Sequence, residues 1–548
     1  MPLLPHPSLP SPWAEAPEPE TSTLPPWTQD PTPPVVWSIA GTDSGGGAGL
    51  AADIRAAAAL GVHLCPVPAA ITAQNSRGVA AVYPLPPEQL RAQLQALAED
   101  LPPRVIKTGL LASVAAVELL AEALDRLRAR HGRIDLVVDP VLGASAGGAA
   151  FATTELIEAY RRLLLPRCTL LTPNRREAER LLLRAGESAP ALAAGLKALG
   201  AQAVCITGGD DREGPGTQDL ALDWIDAPLD PAAPALGAAS GWLALPRLPS
   251  AHHHGSGCSF ASAAAGALAR GFALPDALVL AKMAAWCAVR DGHAAGQGAG
   301  PVRATPTFVA EPAAMPLLSF GDEPLDAATL ARWLGMLRGE AGAAPHAAGL
   351  YAITEKPEQV AALAASGLFA HLQLRIKGSD ATALRAAIAQ ARAGSQGRAQ
   401  LWINDHWALA LEAGAEALHL GQEDWAALDG SARAELLGRS AAGRLRLGLS
   451  SHSLWELARA RSLAPAYIAC GPLWPTSTKA MPWLPQGLAQ LAWWAHMAGR
   501  PVVGIGGLLR PNQIGAVARA GAANACLVRA ADAGPESWRA CATAWNEA

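Results

Sequence analysis

The stretch GTDSGGGAGLAADI (residues 41–54) follows the apolar run VVWSIA (35–40) and leads into an alanine-rich segment. Five of its first nine residues are glycine, so the backbone can turn tightly there and approach a ligand. A helix beginning behind the glycines would offer unpaired N–H groups to an anion. A glycine-rich strand-to-helix turn is also a plain structural connection. The stretch predicts a strand followed by a helix and, on the functional interpretation, a site for a small phosphorylated molecule.

The same alternation continues to about residue 293, since short β-rich runs are separated by helical stretches rich in Ala, Leu and Arg. The runs are VVWSIA, CPVPAAIT, RVIKTGLL, DLVVDPVL, CTLLTPN and AVCITGGD. Strands that alternate with helices predict a parallel sheet with crossover helices, and hence an α/β layered domain.

Length and composition limit the classes of protein. A chain of 548 residues exceeds one ordinary core and predicts at least two domains. A net charge of -4 gives no basic surface for nucleic acid, and no apolar run approaches the roughly 18 residues of a membrane-spanning helix. The eight cysteines form no C-x-x-C pair, which favours a reducing, cytoplasmic setting. Residues 1–34 are rich in proline and are predicted to be a disordered leader.

After residue 348 the strand pattern restarts and can be counted. Eight β-rich runs alternate with helical stretches within the last 200 residues or so: GLYAIT, LQLRIK, QLWIND, ALHLGQ, LGLSS, AYIACG, PVVGIGG and ACLVRA. Eight βα units of this size predict a TIM (β/α)8 barrel, whose active site lies at the carboxyl ends of the strands. Solvated loop residues would explain any one polar residue at those ends but not their recurrence on most strands.

The residue types at those strand ends indicate phosphate chemistry. Arg375, Lys377 and Lys479 supply cations for phosphate oxygens. Backbone N–H groups of the GIGG stretch can bind an anion, and Asp405 with Asp424 could share Mg²⁺. A pair of substrates carrying a pyrophosphate and a phosphate would use all of these groups.

Five motifs of the second half, in order, resemble thiamine-phosphate synthase over residues 349–531: LQLRIKG, INDHWALALEAGAEALHLGQED, LGLSSHS, YIACGPLWPTSTK and VVGIGGL. The resemblance implies that hydroxymethylpyrimidine pyrophosphate loses pyrophosphate and that the nitrogen of thiazole phosphate captures the pyrimidine cation. Asp405 and Asp424 would bind Mg²⁺, and Ser450 would contact the pyrimidine. The residues that would hold the pyrophosphate substrate are Gln373, Arg375, Lys377, Asn404 and Lys479. Those that would hold the thiazole phosphate are Thr476, Thr478 and Gly507.

The first half, over residues 35–302, resembles the hydroxymethylpyrimidine and phosphomethylpyrimidine kinases of the ribokinase-like superfamily. The motifs are SIAGTDSGGGAGLAADIRAAAALGVHLCPVPAAITAQNSRGV, IKTGLL, VVDPVL, TPNRREAE and HGSGCSFASAAAGALARG. The resemblance implies that the glycine stretch from Gly41 closes over the pyrimidine and its phosphate. Asp53 and Gln74 would read the amino and nitrogen edge of the ring.

The GSGC turn would form an anion hole with Gly255 and Gly257, and Cys258 would stand in the place of the catalytic base. A thiol at a helix N-terminus is expected to have a lowered pKa, although Cys258 could also be a buried small hydrophobe. Asp139, Asn174 and Glu177 would act through Mg²⁺ and water on the phosphates of ATP. Only His254 of the run 252–254 matches the family motif, and three adjacent histidines do not easily face one metal ion.

This chain departs from the family patterns at four charged or phosphate-binding places. Thr207 replaces a Lys of the sixth strand, Ser145 and Gly148 replace the Lys and Asp of an AKSGD motif, and a TKKD run is TKAM here. Arg529 replaces a phosphate-binding Ser. The replacements at Thr207, Ser145 and Gly148 weaken the inferred ATP site, and with a weak base they predict that the kinase half acts mainly on the monophosphate. The two departures in the barrel weaken the predicted binding of thiazole phosphate.

The predicted function is a bifunctional thiamine biosynthesis enzyme with ATP as phosphoryl donor, small-molecule substrates and the possibility of a homo-oligomer. The predicted domains are a kinase-like domain at 35–305, a linker at 306–346 and a synthase-like barrel at 347–548. Two alternatives stay open: a non-catalytic pyrimidine-binding module fused to an active synthase, and an active kinase fused to a regulatory barrel that binds thiazole phosphate. A pyridoxal-type kinase is a weaker alternative, since TAQN and GSGC fit the pyrimidine family better.

Overall fold

The glycine stretch joins strand β1 (Val35–Asp43) to helix α1 (Gly49–Ala59), as predicted. This computed structural model describes residues 30–143, 152–209, 213–233, 237–340, 346–378, 380–475 and 485–548. Most of the predicted leader at 1–34 lies outside the described residues, as do Ser145, Gly148, Thr476, Thr478 and Lys479.

Strand β1 lies inside a ten-stranded sheet, because its residues from Val36 to Gly41 are apolar or small and are buried on both faces. The other strands are β2 (His63–Asn75), β3 (Gly78–Pro84), β4 (Val105–Thr108), β5 (Asp135–Val138), β6 (Leu170–Leu171), β7 (Ala203–Ile206), β8 (Leu220–Pro228), β9 (Ala238–Pro246) and β10 (Leu317–Leu318). Their order is β10-β9-β8-β7-β6-β5-β4-β1-β2-β3. Strands β2, β4, β5, β6 and β7 run parallel to β1. Strand β3 pairs antiparallel with β2, and the pairs β7–β8, β8–β9 and β9–β10 are also antiparallel.

The helices of this unit form two groups around the sheet. They are α2 (Pro87–Asp100), α3 (Val114–His131), α4 (Thr154–Ala159), α5 (Arg175–Leu182), α6 (Ala189–Ala198), α7 (Ser256–Ala269) and α8 (Leu274–Arg290). Helix α7 packs on β1, β4 and β5 and contacts both α1 and α8, while α2 to α6 contact one another in sequence. The predicted layered α/β fold is confirmed; its antiparallel strands were not predicted.

The second half is a closed barrel of eight parallel strands, and this prediction is also confirmed. The strands are β11 (Gly349–Thr354), β12 (Phe369–Leu374), β13 (Gln400–Asn404), β14 (Ala417–Leu420), β15 (Arg446–Ser451), β16 (Tyr467–Cys470), β17 (Val502–Ile505) and β18 (Asn524–Leu527). Pairing of β18 with β11 closes the barrel. Inside it, Tyr351, Trp402 and Tyr467 pack with smaller apolar side chains.

Helices surround this barrel. Helix α9 (Ala327–Leu337) precedes the first strand. The others are α10 (Pro357–Ala365), α11 (Ala381–Ser395), α12 (Trp407–Glu412), α13 (Gln422–Ala426), α14 (Gly430–Ala441), α15 (Leu454–Ser462), α16 (Gly487–Met497), α17 (Pro511–Arg519) and α18 (Pro535–Asn546). No helix within the described ranges is long and apolar enough to cross a membrane.

The chain divides into two compact units, one ending at Asp322 and the next beginning at Glu323. The predicted linker at 306–346 contains packed elements of both units. Phe308 and strand β10 are buried in the first, and Trp333 of α9 is buried in the second. The domain limits at 305 and 347 stay a prediction, and packed structure extends beyond each of them.

Candidate active sites

The glycine loop of the first unit is organised around the carboxylate of Asp43. Its oxygens accept hydrogen bonds from the backbone N–H groups of Gly45, Gly47 and Ala48 at 2.8 to 2.9 Å. Gly49 has a φ of +53°, and a β-carbon there would lie 2.2 Å from the Gly41 carbonyl oxygen. The loop therefore requires glycine for its own geometry. Three N–H groups of the loop are thus bonded within the protein, to Asp43.

His254 joins this loop to Gln74 at the end of β2. Its Nε2 lies 3.1 Å from Asp43 Oδ2 and 3.0 Å from Gln74 Nε2. Burial raises the pKa of Asp43, but the hydrogen bonds from His254 and from the loop backbone outweigh that effect, so its pKa is lowered. Gln74 is half-buried, and its Oε1 accepts a hydrogen bond from Thr72 Oγ1 at 3.3 Å. His252 instead accepts the backbone N–H of Gly300 through Nδ1.

Behind the loop, Lys107 on β4 is 0 % exposed and forms an ion pair. Its Nζ lies 2.9 Å from Asp53 Oδ1 and 3.9 Å from Asp139 Oδ2. Hydroxyls of Ser38 and Ser262 donate to the Asp53 carboxylate at 2.7 and 2.8 Å. We expected Asp53 to read the edge of a pyrimidine ring. The structure places it instead as the buried counter-charge of Lys107, a residue to which the sequence interpretation gave no role.

Cys258 occupies the third position of α7 and is partly exposed. Burial raises the pKa of its thiol to about 12; the ammonium of Lys107 lowers it, and the carboxylates of Asp53 and Asp139 raise it further. The expectation of a lowered pKa is therefore wrong. It considered only the helix N-terminus, whereas burial and two carboxylates distant in sequence dominate here.

The two glycines before and beside Cys258 shape an open helix end. Gly255 has a φ of +85°, and a β-carbon there would lie 2.1 Å from the Gly47 carbonyl oxygen. At Gly257 no atom lies within 4 Å of the position that a β-carbon would take. Because the first-turn N–H groups of a helix have no partner within it, this end can accept an anion.

The carboxylates of Asp139 and Glu177 form a second group of acidic side chains in this unit. Glu177 and Asn174 form a reciprocal capping box at the start of α5, with hydrogen bonds of 2.9 and 3.0 Å. Burial and the Asp139 carboxylate raise the pKa of Glu177 to about 7, and burial raises that of Asp139 to about 6 although Lys107 opposes it. Asp139 Oδ2 is buried and has no hydrogen-bond partner in the described part of the chain.

The mouth of the barrel carries the other predicted acidic pair. Asp405 follows β13 with a φ of +62°, and Asp424 lies in the first turn of α13. Burial, together with the charge of Asp424 and a hydrogen bond to it, raises the pKa of Asp405 to about 6, while Arg375 lowers it. The structure therefore brings both carboxylates and one predicted phosphate-binding cation together.

Six polar residues of the barrel form a hydrogen-bond chain. Its contacts run from Asn404 through Gln373, Tyr351, Tyr467 and His419 to Ser450. Gln373, Asn404 and Ser450 were predicted as site residues. The sequence interpretation missed Tyr351, Tyr467 and His419, although each lies on a predicted strand. Burial, with Arg375 nearby, lowers the pKa of His419 to about 4, so its imidazole is neutral.

The remaining predicted residues are placed as follows. Gly507 has a φ of +77°, and a β-carbon there would lie 2.6 Å from Trp474 Cβ, so the close approach of two loops requires glycine. Lys377 is exposed beyond β12, and Arg529 is exposed after β18. Thr476, Thr478 and Lys479 lie outside the described residues.

Both acidic pairs fit Mg²⁺ in the way that phosphate-transferring enzymes hold it. In the described ranges no three His, Cys, Asp or Glu side chains converge as a metal cage. Mg²⁺ is commonly bound by one or two carboxylates together with substrate phosphates. The buried Asp139 Oδ2, which has no hydrogen-bond partner among the described residues, and the neighbouring carboxylates of Asp405 and Asp424 are ligands of that kind.

A layered α/β unit with an acidic pair and an open helix N-terminus, joined to a TIM barrel with a second acidic pair at its mouth, defines a two-domain enzyme of phosphate-bearing substrates. The family model for phosphomethylpyrimidine kinase matches residues 43–303, and that for thiamine monophosphate synthase matches residues 350–531. The chain belongs to the family of bifunctional thiamine biosynthesis enzymes, with a kinase domain followed by a synthase domain.

Individual proteins are similar to most of the chain or to about half of it. The probable thiamine biosynthetic bifunctional enzyme of Oryza sativa subsp. japonica is 31 % identical over 494 residues, covering 87 % of this chain and 82 % of the relative. A hydroxymethylpyrimidine/phosphomethylpyrimidine kinase of Streptomyces coelicolor is 40 % identical over 274 residues, covering 50 % of this chain and 94 % of the relative. The solved structure of Bacillus subtilis pyridoxal kinase with ADP is 26 % identical, with a TM-score of 0.43, and covers 51 % of this chain and 99 % of that one.

Proposed function

We propose that the kinase unit mainly converts the pyrimidine monophosphate to the pyrophosphate, which the barrel then couples to thiazole phosphate. The paired carboxylates Asp405 and Asp424 beside Arg375 carry this proposal, because a departing pyrophosphate needs metal and cationic charge where its own charge develops.

In the kinase unit, we propose that Asp139 and Glu177 act on the phosphates of ATP through Mg²⁺, with Asn174 fixing the orientation of Glu177. The metal would neutralise charge on the transferred phosphoryl group. Lys107 holds the carboxylate of Asp139 in place without reaching solvent itself. The N-terminus of α7 around Gly257 would bind the phosphoryl group during transfer.

The preference for the monophosphate follows from what each substrate requires of a base. A hydroxyl must lose a proton as it attacks the γ-phosphorus of ATP, whereas a phosphate monoester, with a second pKa of about 6, is already largely ionised at neutral pH. The Cys258 thiol, with its pKa raised to about 12, is protonated at neutral pH and removes a proton poorly. The monophosphate needs positioning more than it needs a base.

In the barrel, we propose that the bond between the pyrimidine methylene carbon and the pyrophosphate oxygen breaks first. Arg375, Gln373 and Asn404 hold the leaving pyrophosphate, and Mg²⁺ at Asp405 and Asp424 would stabilise its charge. The thiazole nitrogen then forms the new bond to the methylene carbon.

The experiment gives the full chain ATP, MgCl₂ and thiazole phosphate with either hydroxymethylpyrimidine or its phosphate, and measures ADP and thiamine phosphate. We expect both products, with the monophosphate the better substrate. Asp405→Asn should stop thiamine phosphate and let the pyrimidine pyrophosphate accumulate, and Asp139→Asn should stop ADP formation yet leave preformed pyrophosphate usable. ADP without thiamine phosphate in the unmodified protein would contradict the coupling step.

We also propose a cytoplasmic location. All eight cysteines are free thiols in the structure, which agrees with a reducing compartment. Co-fractionation of the protein with a membrane or secreted marker would overturn this proposal.

A further inference from the structure

The hydrogen-bond chain spans the barrel interior without a gap. Gln373 Nε2 lies 2.6 Å from Asn404 Oδ1, and the Tyr351 hydroxyl lies 2.9 Å from Gln373 Oε1. The two tyrosine hydroxyls are 2.8 Å apart. His419 then bridges the Tyr467 hydroxyl at 2.7 Å through Nδ1 and the Ser450 hydroxyl at 2.9 Å through Nε2.

The direction of every bond in this hydrogen-bond chain follows from the orientation of the Gln373 amide and the number of protons available. Each tyrosine hydroxyl has one proton. Tyr351 donates its proton to Gln373 Oε1, so it must accept from Tyr467. The single proton of Tyr467 is used in the bond to Tyr351. Tyr467 must therefore accept a hydrogen bond from His419, so Nδ1 of the His419 ring carries the hydrogen.

The other nitrogen of the ring then has its role fixed. His419 is 7 % exposed, and both its ring nitrogens meet hydroxyl groups of the protein. A cationic ring there would lack a bonded counter-charge, which burial makes costly. In the neutral ring with hydrogen on Nδ1, Nε2 is an acceptor. Ser450 therefore donates its hydroxyl proton to His419, and the free lone pairs of its oxygen face away from the ring.

The opposite end of the chain has the complementary polarity. Because Asn404 Oδ1 accepts from Gln373, Asn404 has its amide N–H₂ left to donate, and Gln373 keeps one further N–H. The chain thus presents an acceptor at Ser450 and donors at Asn404 and Gln373. Reversal of the Gln373 amide would reverse every bond and exchange these roles.

We propose that Tyr351, Tyr467 and His419 are positioning residues that fix Ser450 as a hydrogen-bond acceptor for the exocyclic amino group of the aminopyrimidine. This inference rests on the proposed function of the barrel. The ring nitrogens of the substrate accept hydrogen bonds, and its amino group is the donor that an acceptor oxygen can bind. The same polarity leaves the donors of Asn404 and Gln373 for the pyrophosphate oxygens. The one series of hydrogen bonds would thus orient both the amino end and the pyrophosphate end of the substrate.

The first test uses the full chain with preformed pyrimidine pyrophosphate and thiazole phosphate. It compares kcat/KM for the amino substrate with kcat/KM for an analogue that carries an oxo group in place of the amino group. In Tyr467→Phe and Tyr351→Phe the His419 ring can exchange its tautomer, and Ser450 can then donate. We expect the preference for the amino substrate to fall about tenfold in both variants, the loss of one directed hydrogen bond.

Tyr351→Phe is the more informative variant, because Tyr351 has no hydrogen bond to His419 or to Ser450 and can affect those two residues only through Tyr467. Ile353→Val is the matched control, since Ile353 belongs to the same apolar cluster and makes no side-chain hydrogen bond. The control should change the preference less than twofold. An unchanged preference in both tyrosine variants, or an equal loss in the control, would overturn the proposal.

The second test needs no substrate and therefore separates this inference from the proposed function. It records ¹⁵N spectra of the histidine-labelled full chain, with the His419 signals identified by their loss in His419→Gln. We expect a protonated Nδ1 and a bare Nε2 in the unmodified protein, and a mixture of tautomers in Tyr351→Phe. A protonated Nε2 in the unmodified protein would refute the direction of the chain even if thiamine phosphate is formed. The expected tautomer in a protein that forms none would refute the proposed function alone.

Discussion

Replacing Asp405 by asparagine should stabilise the metal-free barrel at neutral pH while abolishing thiamine-phosphate synthesis. The carboxylates of Asp405 and Asp424 repel each other and share a hydrogen bond, and burial adds to the cost of ionising Asp405. Asparagine removes that charge without forcing the backbone, because Asp405 has a φ of +62° and asparagine tolerates this left-handed conformation better than alanine does.

The size of this gain in stability follows from the pKa of Asp405, which is raised to about 6 in the folded barrel, compared with about 3.9 in an unfolded chain. A raised acid pKa means that the folded state binds the proton more tightly, so ionisation costs stability. The cost is absent below about pH 4, grows between about pH 4 and 6, and is complete above that. A shift of two units has an upper limit of about 3 kcal/mol. Since the mouth is partly open to water, which screens the charge of Asp405, we expect about 1–2 kcal/mol.

The assay is thermal unfolding of the full chain in EDTA and in MgCl₂, from pH 4 to 8. In EDTA at pH 7.5 the barrel transition of Asp405→Asn should lie about 2–8 °C above that of the unmodified protein. The difference should vanish near pH 4, and MgCl₂ should stabilise only the unmodified barrel. Asp380→Asn is the control, because asparagine preserves its helix cap. The reasoning would be refuted if Asp405→Asn unfolded at a lower temperature than the unmodified protein at pH 7.5, or if MgCl₂ stabilised both proteins equally.

Three further predictions concern the kinase unit and the division of the chain. Lys107→Met should lower the free energy of unfolding by about 3–5 kcal/mol, because Asp53 and Asp139 would be left buried without a counter-charge; a loss below about 1 kcal/mol in urea titrations would contradict the ion pair. Because burial raises the pKa of Cys258 to about 12, kcat/KM for the alcohol should keep rising from pH 7 to 9 while that for the monophosphate is level, and Cys258→Ala should remove the rise; equal profiles would count against a thiolate base. Separate chains of residues 30–322 and 323–548 should each be soluble and active, whereas a first chain ending at 306 should aggregate because it lacks Phe308 and β10; equal solubility of both first chains would show that the segment after 306 is dispensable.

The alternation of strands and helices was sufficient to predict the parallel core of both units, because buried parallel strands are apolar along their whole length. It failed for β8, where the run LALDWIDAP carries two aspartates. Asp223 is tolerated inside that strand because Lys282 of α8 pairs with it at 2.8 Å. A charge in mid-strand favours a loop when the sequence is considered alone. The partner of Asp223, Lys282, lies 59 positions away, and the sequence did not show that its helix packs against this strand.

The sites were predictable to a similar extent and for a related reason. Strand ends locate residues such as Asp405 and Asp424, since the carboxyl ends of parallel strands meet at one mouth. The burial of these side chains and their pairing with residues distant in sequence could not be inferred from the sequence. Asp53 was expected at a substrate edge because Lys107 was not recognised as its partner. The pKa of Cys258 was expected to fall because the nearby carboxylates come from other segments.

The glycine loop of the kinase unit, closed on the carboxylate of Asp43, has a consequence for the entropy of substrate binding. A loop of five glycines in nine residues has a large conformational entropy to lose. Three internal hydrogen bonds to one side chain fix the loop, so a substrate bound there would meet a surface that is already ordered. The binding energy of that substrate would then be available for orientation of the reacting groups rather than for ordering the loop.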